Sequence, residues 1–308
     1  MQLRHLRYFV KIVEAGSFSR AAALIPVAQP ALSQQIAALE EELGVTLLHR
    51  SARGARPTPA GAALYTEAAS ILSRMERIPQ IVRSLGGDIQ GVVRIGMSST
   101  LASFLAGELM EKCRSALPKI SLRFSSDASG QLGARIRDSS LDLALVFEDE
   151  PTTGFARKPL FRQRLFVISP RKPGRRPSAM RFEQLAEMPL ILPAHPNMTR
   201  NLLDRLFSEA GIAPQVVAET EVYSGMLSAV QAGIGHTILP LGDFSGQPGN
   251  AMVSAVLIEP PVYLTAAVIA SNDVPLAPPA EAVRTLLSEF VMQHVQEKGL
   301  AGAEPLPS

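Results

Sequence analysis

Residues 17–61 pack two short amphipathic helices around a tight turn and follow them with an arginine-bearing hairpin, and no other stretch restricts the fold as much. Residues 17–43 read SFSRAAALIPVAQPALSQQIAALEEEL, and residues 44–61 read GVTLLHRSARGARPTPAG. Just upstream, Leu6, Phe9, Val10 and Val13 recur at i, i+3, i+4 and i+7, which predicts a helix over residues 3–14 packed on one side. Gly16 and Ser17 stop it. Ser19 is placed to cap a second helix over residues 20–25, where Ala21, Ala22 and Ala23 are small enough for a close crossing. Pro26 limits that helix. Pro30 suits the first turn of a third, whose buried stripe is Leu32, Ile36, Leu39 and Leu43.

The chemistry lies in what faces outward at the start of the third helix. Gln29, Ser33 and Gln34 carry amide or hydroxyl groups; glutamine pairs with adenine edges in the major groove and serine serves bases or phosphates. Pro30 and Ala31 offer apolar contact for a thymine methyl group. The helix N-terminus attracts a phosphate. His49, Arg50, Arg53 and Arg56 follow around Gly54, which suits a two-stranded wing along the DNA backbone or minor groove. Residues 1–60 carry seven Lys+Arg and four Asp+Glu, a net +3. The whole chain carries only +2, so the remainder is near −1 and is no general polyanion binder.

A long helix follows. Thr58 can cap it with Pro59 at its first position. Leu64, Ala68, Ile71, Met75, Ile78, Val82 and Leu85 are spaced 4, 3, 4, 3, 4, 3, a heptad seam that predicts pairing with a second copy. Pro79 predicts a bend near residues 76–79.

From residue 92 short apolar strands alternate with helices. Strands are expected at 92–96, 120–126, 141–147, 164–169, 189–192, 215–219, 236–239 and 262–270, with helices near 101–116, 130–138, 198–210, 223–232 and 280–296. Such alternation argues for α/β layers with a mostly parallel sheet, and 164–169 and 262–270 for crossing points between two lobes. Ligands in open α/β sheets sit beyond the carboxyl ends of strands. Ser98, Ser99 and Thr100 occupy such a place, and Ser129 the equivalent one after the second strand. Asn197, Met198 and Thr199, and then Tyr223 and Ser224, open helices in the other lobe. Hydroxyls and free N–H groups there suit a small effector, a carboxylate among the candidates. The competing role for each of these residues is simple helix capping.

Other groups imply little chemistry. The one cysteine, Cys113, excludes an internal disulfide and reads as a packed thiol. His5, His49, His195, His236 and His294 show no metal-ligand spacing, and Phe147-Glu148-Asp149-Glu150 reads as a strand end in a solvated loop. Motifs for a catalytic nucleophile, a phosphate-binding loop or a zinc protease are missing, so neither catalytic residues, a metal nor a cofactor is expected. There is no signal-peptide pattern and no apolar run approaching ~20 residues, which predicts a cytoplasmic protein without a membrane partner.

The head resembles the LysR-type transcriptional regulators. Phe9, Ser17, Phe18, Ser19, Ala21, Ala22, Gln29-Pro30-Ala31-Leu32-Ser33, Gln35-Ile36, Leu39-Glu40, Leu43-Gly44, Leu47-Leu48, Arg50, Arg53, Thr58, Ala60 and Gly61 carry the likeness. Pro26 and Leu48 depart from the family's usual polar residue and phenylalanine. The likeness continues more weakly through LDLALVF (141–147) and QAGIGHTILP (231–240), and it looks strongest toward the nitrogen assimilation control branch. It implies DNA contacts from Gln29, Pro30, Ala31, Ser33 and Gln34 in the recognition helix and from Arg50 and Arg53 in the wing. It also implies a cleft of the periplasmic-binding-protein type and a dimer of dimers on promoter DNA, with RNA polymerase a further candidate partner.

The expected fold class is α+β multidomain: a winged helix-turn-helix over 1–58, a linker and dimerisation helix over 59–87, and an effector-binding α/β domain over 92–298. That domain divides into a first lobe of about 92–162 and 268–298 and a second of about 163–267, leaving a disordered tail at 299–308. The expected function is sequence-specific transcriptional regulation modulated by an effector in the inter-lobe cleft. The alternatives are a ligand-independent regulator of nitrogen or related metabolism, and a cytoplasmic solute-binding protein.

Overall fold

The computed structural model describes residues 1–51, 54–84, 89–151, 153–171, 178–240 and 253–306. The chain divides into two compact units, Met1–Asp88 with Arg137–Ser140, and Ile89–Ile136 with Leu141–Ser308.

The first unit holds α1 (Leu3–Ala15), α2 (Phe18–Leu24), α3 (Gln29–Leu43), the hairpin β1 (Leu48–Ser51) and β2 (Gly54–Pro57), and α4 (Pro59–Ser84). Gly16 ends α1 in the left-handed conformation, φ 62°, and returns its N–H to Val13 O. The second helix begins at Phe18 with Ser17 at its N-cap position, two residues earlier than Ser19 would give. The turn closes directly on Gly16, and Phe18 packs into the core. Phe9, Ile12, Ala21, Leu32, Ile36 and Leu39 form that core with Leu47, Leu48 and Ala55 of the hairpin. Leu43, the last of the expected stripe on α3, is 40% exposed.

Two close approaches hold the hairpin. Ala55 N donates to Gly16 O (2.9 Å), and a Cβ on Gly54 would lie 2.3 Å from that oxygen. Thr58 Oγ1 donates to Thr46 O (2.7 Å) and accepts from Gly61 N (3.0 Å), so Thr58 caps α4 while tying it to the hairpin's base. A Cβ on Gly61 would sit 2.0 Å from Leu47 O. The seam on α4 is divided. Leu64 and Ala68 pack on Leu6 and Val10 of α1, whereas Ile71, Ile78 and Val82 are 40, 55 and 61% exposed. The helix runs through Pro79 without a break. Its expected last seam residue, Leu85, lies outside the described residues.

The second unit is built on two sheets. Its elements are β3 (Gly91–Ser98), α5 (Ser99–Ala116), β4 (Ile120–Asp127), α6 (Ser129–Arg137), β5 (Leu143–Glu148), β6 (Phe155–Arg164), β7 (Phe166–Pro170), β8 (Ala179–Arg181) and β9 (Pro189–Leu192). They continue with α7 (Met198–Glu209), β10 (Gln215–Glu219), α8 (Tyr223–Gln231), β11 (Thr237–Leu239), β12 (Val253–Glu259), β13 (Tyr263–Ser271), α9 (Pro278–Lys298) and β14 (Ala303–Pro305). One sheet has the order β14-β6-β13-β5-β3-β4; the other has the order β11-β7-β12-β8. A bridge between Leu190 and His236 joins the second to the parallel pair β9–β10.

The sheets are mixed rather than mostly parallel. β3 runs parallel to β4 and β5, but β13 runs antiparallel to both its neighbours. β13 reaches the first sheet through the short connection from β12, without the helical crossover that a parallel neighbour needs. β6 falls outside the expected strands, because Arg157, Lys158, Pro159, Arg162 and Arg164 break its apolar pattern. Glu148 is buried, 1% exposed, and ion-paired with Arg157, while Asp149 pairs with Arg205 (2.5 Å). The run does end β5, and Glu150 stays 80% exposed, but Glu148 and Asp149 are neutralised by ion pairs rather than solvated.

The tail 299–308, expected to be disordered, instead carries β14 on the edge of β6. Glu304 accepts from Arg162 Nη2 (2.6 Å) and from Tyr263 OH (2.8 Å). Gln163 Nε2 donates to Ala301 O (2.8 Å). These partners lie far upstream in sequence, so a Gly-, Ala- and Pro-rich tail gives no local sign of them.

This packing can be tested at two points. Gly61→Ala must push the Leu47 carbonyl aside and should destabilise the head by on the order of 3 kcal/mol, read as an earlier thermal transition with loss of DNA binding. Tyr263 and then Arg162 hold the Glu304 carboxyl below its ordinary value of 4.5. The stability from this contact is complete above that value and is lost as pH falls through the lowered one. Glu304→Gln should thus unfold at a slightly lower temperature than wild type at neutral pH, with the gap closing on acidification. The gap is small because Arg162 and Glu304 are each about a third exposed.

Candidate nucleic-acid interface and ligand cleft

The helix read from the sequence as the recognition helix is α3. Gln29, Pro30, Ala31 and Gln34 are exposed on it and Ser33 is half-buried. Its N-cap position is Ala28, which offers no side-chain cap, so first-turn N–H groups are left for an anion such as a phosphate. Arg50, on β1, reaches back to this helix. Its Nη1 donates to Ser33 Oγ (2.8 Å), its Nη2 to Glu40 Oε2 (3.3 Å), and its guanidinium lies 4.8 Å over the Phe18 ring. Glu40 Oε1 accepts from the backbone N–H groups of Leu47 (2.8 Å) and Leu48 (3.1 Å). One carboxylate thus fixes the start of the wing against the recognition helix.

Arg50 and Ser33, both read from the sequence as DNA contacts, are brought together and bonded to each other. His49 and Arg56 are opposed across the hairpin and exposed. Arg53 lies outside the described residues. A shallow concavity beside the wing is lined by Ser17, Phe18, Ser19, Arg20, Arg50, Ser51 and Gly54. Arg20 adds a basic group there that helix periodicity alone does not single out.

The second unit contains a cleft of about 590 Å³. Ser98 at the end of β3, Ser99 and Thr100 at the start of α5, and Ser129 at the start of α6 line it, together with Asn197, Met198, Thr199, Tyr223 and Ser224. All nine residues read from the sequence therefore meet at one cavity. Their origins explain this: the first four follow strands of the first sheet, the last five follow β9 and β10, the parallel pair bridged to the second, and both sets lie where strands give way to helices. Asn197 also caps α7, its Oδ1 accepting from Arg200 N (3.2 Å), so capping and lining coexist in one residue. Ser126 Oγ donates to Ser99 Oγ (3.2 Å). Ser98 is 7% exposed and its Oγ has no hydrogen-bond partner among the described residues.

Sequence reasoning missed Ser126, Asp127, Gln131, Phe147, Pro196, Glu221, Met226 and Leu239 in this lining. Asp127 and Glu221 had a signal: each stands two residues before a helix that follows a strand. Phe147 and Leu239 read as ordinary core. Elsewhere, burial pushes the Cys113 thiol up to about 11, which suits packing rather than reactivity. Among the described residues no group of three His, Cys, Asp or Glu is placed to hold a metal ion, and no helix is long and apolar enough to cross a membrane.

Known proteins share this arrangement. Residues 3–62 match the bacterial regulatory helix-turn-helix protein family of lysR type, and residues 86–291 match the LysR substrate binding domain. The nitrogen assimilation regulatory protein nac of Escherichia coli (strain K12) is 33% identical over 302 residues, covering 97% of this chain and 98% of that protein. A full-length OxyR variant from Pseudomonas aeruginosa superposes with a TM-score of 0.67 at 22% identity, covering 95% of this chain and 98% of that one. Full-length CbnR complexed with its target DNA superposes with a TM-score of 0.65 at 22% identity, covering 93% and 100%. With a head that matches from its first helix to the start of α4 and a ligand-binding unit that matches over both sheets, the chain belongs to the LysR family of DNA-binding transcriptional regulators.

Proposed function

We propose that this regulator reads promoter DNA through α3 and that a small molecule in the cleft of the second unit modulates its grip. The observation that carries the reading is the meeting of nine strand-end and helix-start residues, drawn from two sheets, around one cavity. A ligand touching both sheets can favour one arrangement of them over another, and only such a difference regulates anything. The protein acts by binding; its work is recognition in the cytoplasm, where its DNA lies.

In the head, Gln34, Gln29 and the apolar pair Pro30 and Ala31 read base edges. Arg50 has a double role: it holds Ser33 and the wing in place, and its exposed guanidinium meets the phosphate backbone. Arg53 joins it from the wing. Two heads read two half-sites, brought together through the exposed part of the α4 seam, Ile71, Ile78 and Val82. A dimer of dimers on a promoter, in reach of RNA polymerase, extends the same logic.

Footprinting of the DNA upstream of the protein's own gene, with and without a metabolite extract, tests the whole reading. A protected dyad whose extent changes with the extract is expected. A dyad indifferent to the extract would remove the effector and leave a regulator set by its own abundance. Gln34→Ala should cost about 1–3 kcal/mol on the cognate site and relax base preference. Arg50→Ala should weaken binding to all duplexes and also loosen the head, seen as a lower unfolding temperature. Thr100→Val should blunt the change caused by the extract while basal DNA binding persists. Ile78→Glu with Val82→Glu should give a monomer in sedimentation and abolish cooperative protection of the two half-sites.

A further inference from the structure

We infer that the cleft takes a compact zwitterion of the amino-acid class, its ammonium group held by Asp127 and Glu221 and its carboxylate lying at the N-terminus of α5. This rests on the reading of the cleft as the effector site. Among the described residues the lining contains two carboxylates and neither a lysine, an arginine nor a histidine. Asp127 ends β4 and stands two residues before α6; Glu221 stands two residues before α8. Each sheet thus delivers one carboxylate to the cavity from the same topological position.

Neither carboxylate is used up by the fold. Among the described residues neither has an ion-pair partner. Asp127 Oδ1 accepts only the N–H of the next residue, Ala128 (2.9 Å). Nor do they cap: the N-cap position of α8 is Val222, one residue past Glu221. Ala128 O receives the first helical bond of α6, from Leu132 N, which puts Asp127 outside that cap as well. The one arginine in the first turn of α7, Arg200, is committed to Asp204 (2.8 Å), Glu219 (2.6 Å) and the Pro193 carbonyl (3.1 Å). Glu221 is exposed and Asp127 half-buried, so both are free to receive a cation brought by a ligand.

Beside Asp127, which is the register partner of Ser98 across β3 and β4, the start of α5 has the opposite need. Ser98 occupies the N-cap position of α5 without making a cap bond, its side chain is buried, and its Oγ is unpartnered among the described residues. The first-turn N–H groups of this 18-residue helix carry the positive end of its dipole. A carboxylate there accepts from Ser98 and from those N–H groups. A dicarboxylate would set its second charge against Asp127 or Glu221. A simple diamine would leave Ser98 and the helix end unmet. Phe147, Val222, Met226 and Leu239 supply apolar wall for a side chain, and about 590 Å³ admits one.

The test is calorimetric titration of the full-length protein with each common L-amino acid, with succinate and putrescine as probes bearing only one sign of charge. Wild type is compared with Asp127→Asn, Glu221→Gln and Thr100→Val, each first checked for an unchanged unfolding temperature. At least one amino acid is expected to bind, succinate and putrescine are not, and either carboxylate variant should weaken binding roughly tenfold to a hundredfold. Succinate or putrescine binding more tightly than every amino acid would overturn the ligand class. The absence of binding by any amino acid at millimolar concentration, or amino-acid binding that ignores Asp127→Asn and Glu221→Gln, would do the same. The effector reading of the cleft is separable: it survives if the bound probe, of whatever class, is lost in Thr100→Val. It falls with the class if binding ignores all three variants.

Discussion

The cleft exists only because the chain leaves the first sheet once and returns to it once. It leaves the first sheet at Leu165, between β6 and β7, and returns between β12 and β13. Everything in the second unit depends on these adjacent passages. Leu165 N bonds to Val262 O (2.9 Å), and Arg164 Nη2 bonds to Ile258 O (3.0 Å), so the two crossing strands hold each other. β13 then pairs on both edges, and most of its residues are buried. The tail strand β14 closes the outer edge of β6, and Gly302 (φ 75°) brings it so near Phe166 that a Cβ would lie 2.7 Å from the ring. Two narrow connections beside a fastened edge leave the sheets few ways to move except about those connections, which is the geometry of a hinge.

The head depends on a comparable economy. Glu40 sits on the recognition helix, yet both its oxygens face the wing, one on two backbone N–H groups and one on Arg50. The reading surface and the backbone-binding surface are thereby set at a fixed relation before DNA arrives. Less ordering cost then remains to be met on binding. The arrangement also ranks the reading residues. Ser33 already accepts from Arg50, so its hydroxyl reaches a base only by keeping its proton available while bonded or by releasing the arginine. Among the described residues Gln34, exposed beside it, has no such bond to release, so on the proposed reading the glutamine is the stronger determinant of sequence.

What the sequence disclosed follows the range of the forces concerned. Helix starts in the head follow from local spacing: α1 begins at Leu3 and α4 at Pro59 as expected, and Pro30 lies in the first turn of α3. The start of α2 does not, because Ser17 and Ser19 are equally good caps and the tertiary contact of Phe18 decides between them. All nine strand-end residues of the cleft are legible, since topology alone places such positions together. The strands β6, β12 and β14 are not. β6 carries charges that are neutralised by Glu148, Glu304 and Glu259 from distant segments, and β14 has no strand character of its own. Asp127 and Glu221 escape notice for a related reason: a carboxylate before a helix reads as a favourable partner of the helix dipole, and only the missing counter-charge in the folded cavity distinguishes it.

That missing counter-charge bears on how a signal is transmitted. Two carboxylates delivered from different sheets repel one another more as the walls approach, by an amount that grows as the cavity loses water. On the proposed reading, an empty cleft is therefore biased toward separation. A ligand that brings a positive group between them reverses the sign of that interaction, and it does so only in the arrangement where both carboxylates reach it. Its affinity for the approached state then exceeds its affinity for the separated one, which is the condition for moving the equilibrium at all. A ligand that used only the hydroxyls and helix start of the first sheet would bind both arrangements alike and would occupy the site without changing it. On that reading the residues that couple binding to response are those contributed by both walls, not those that bind most strongly.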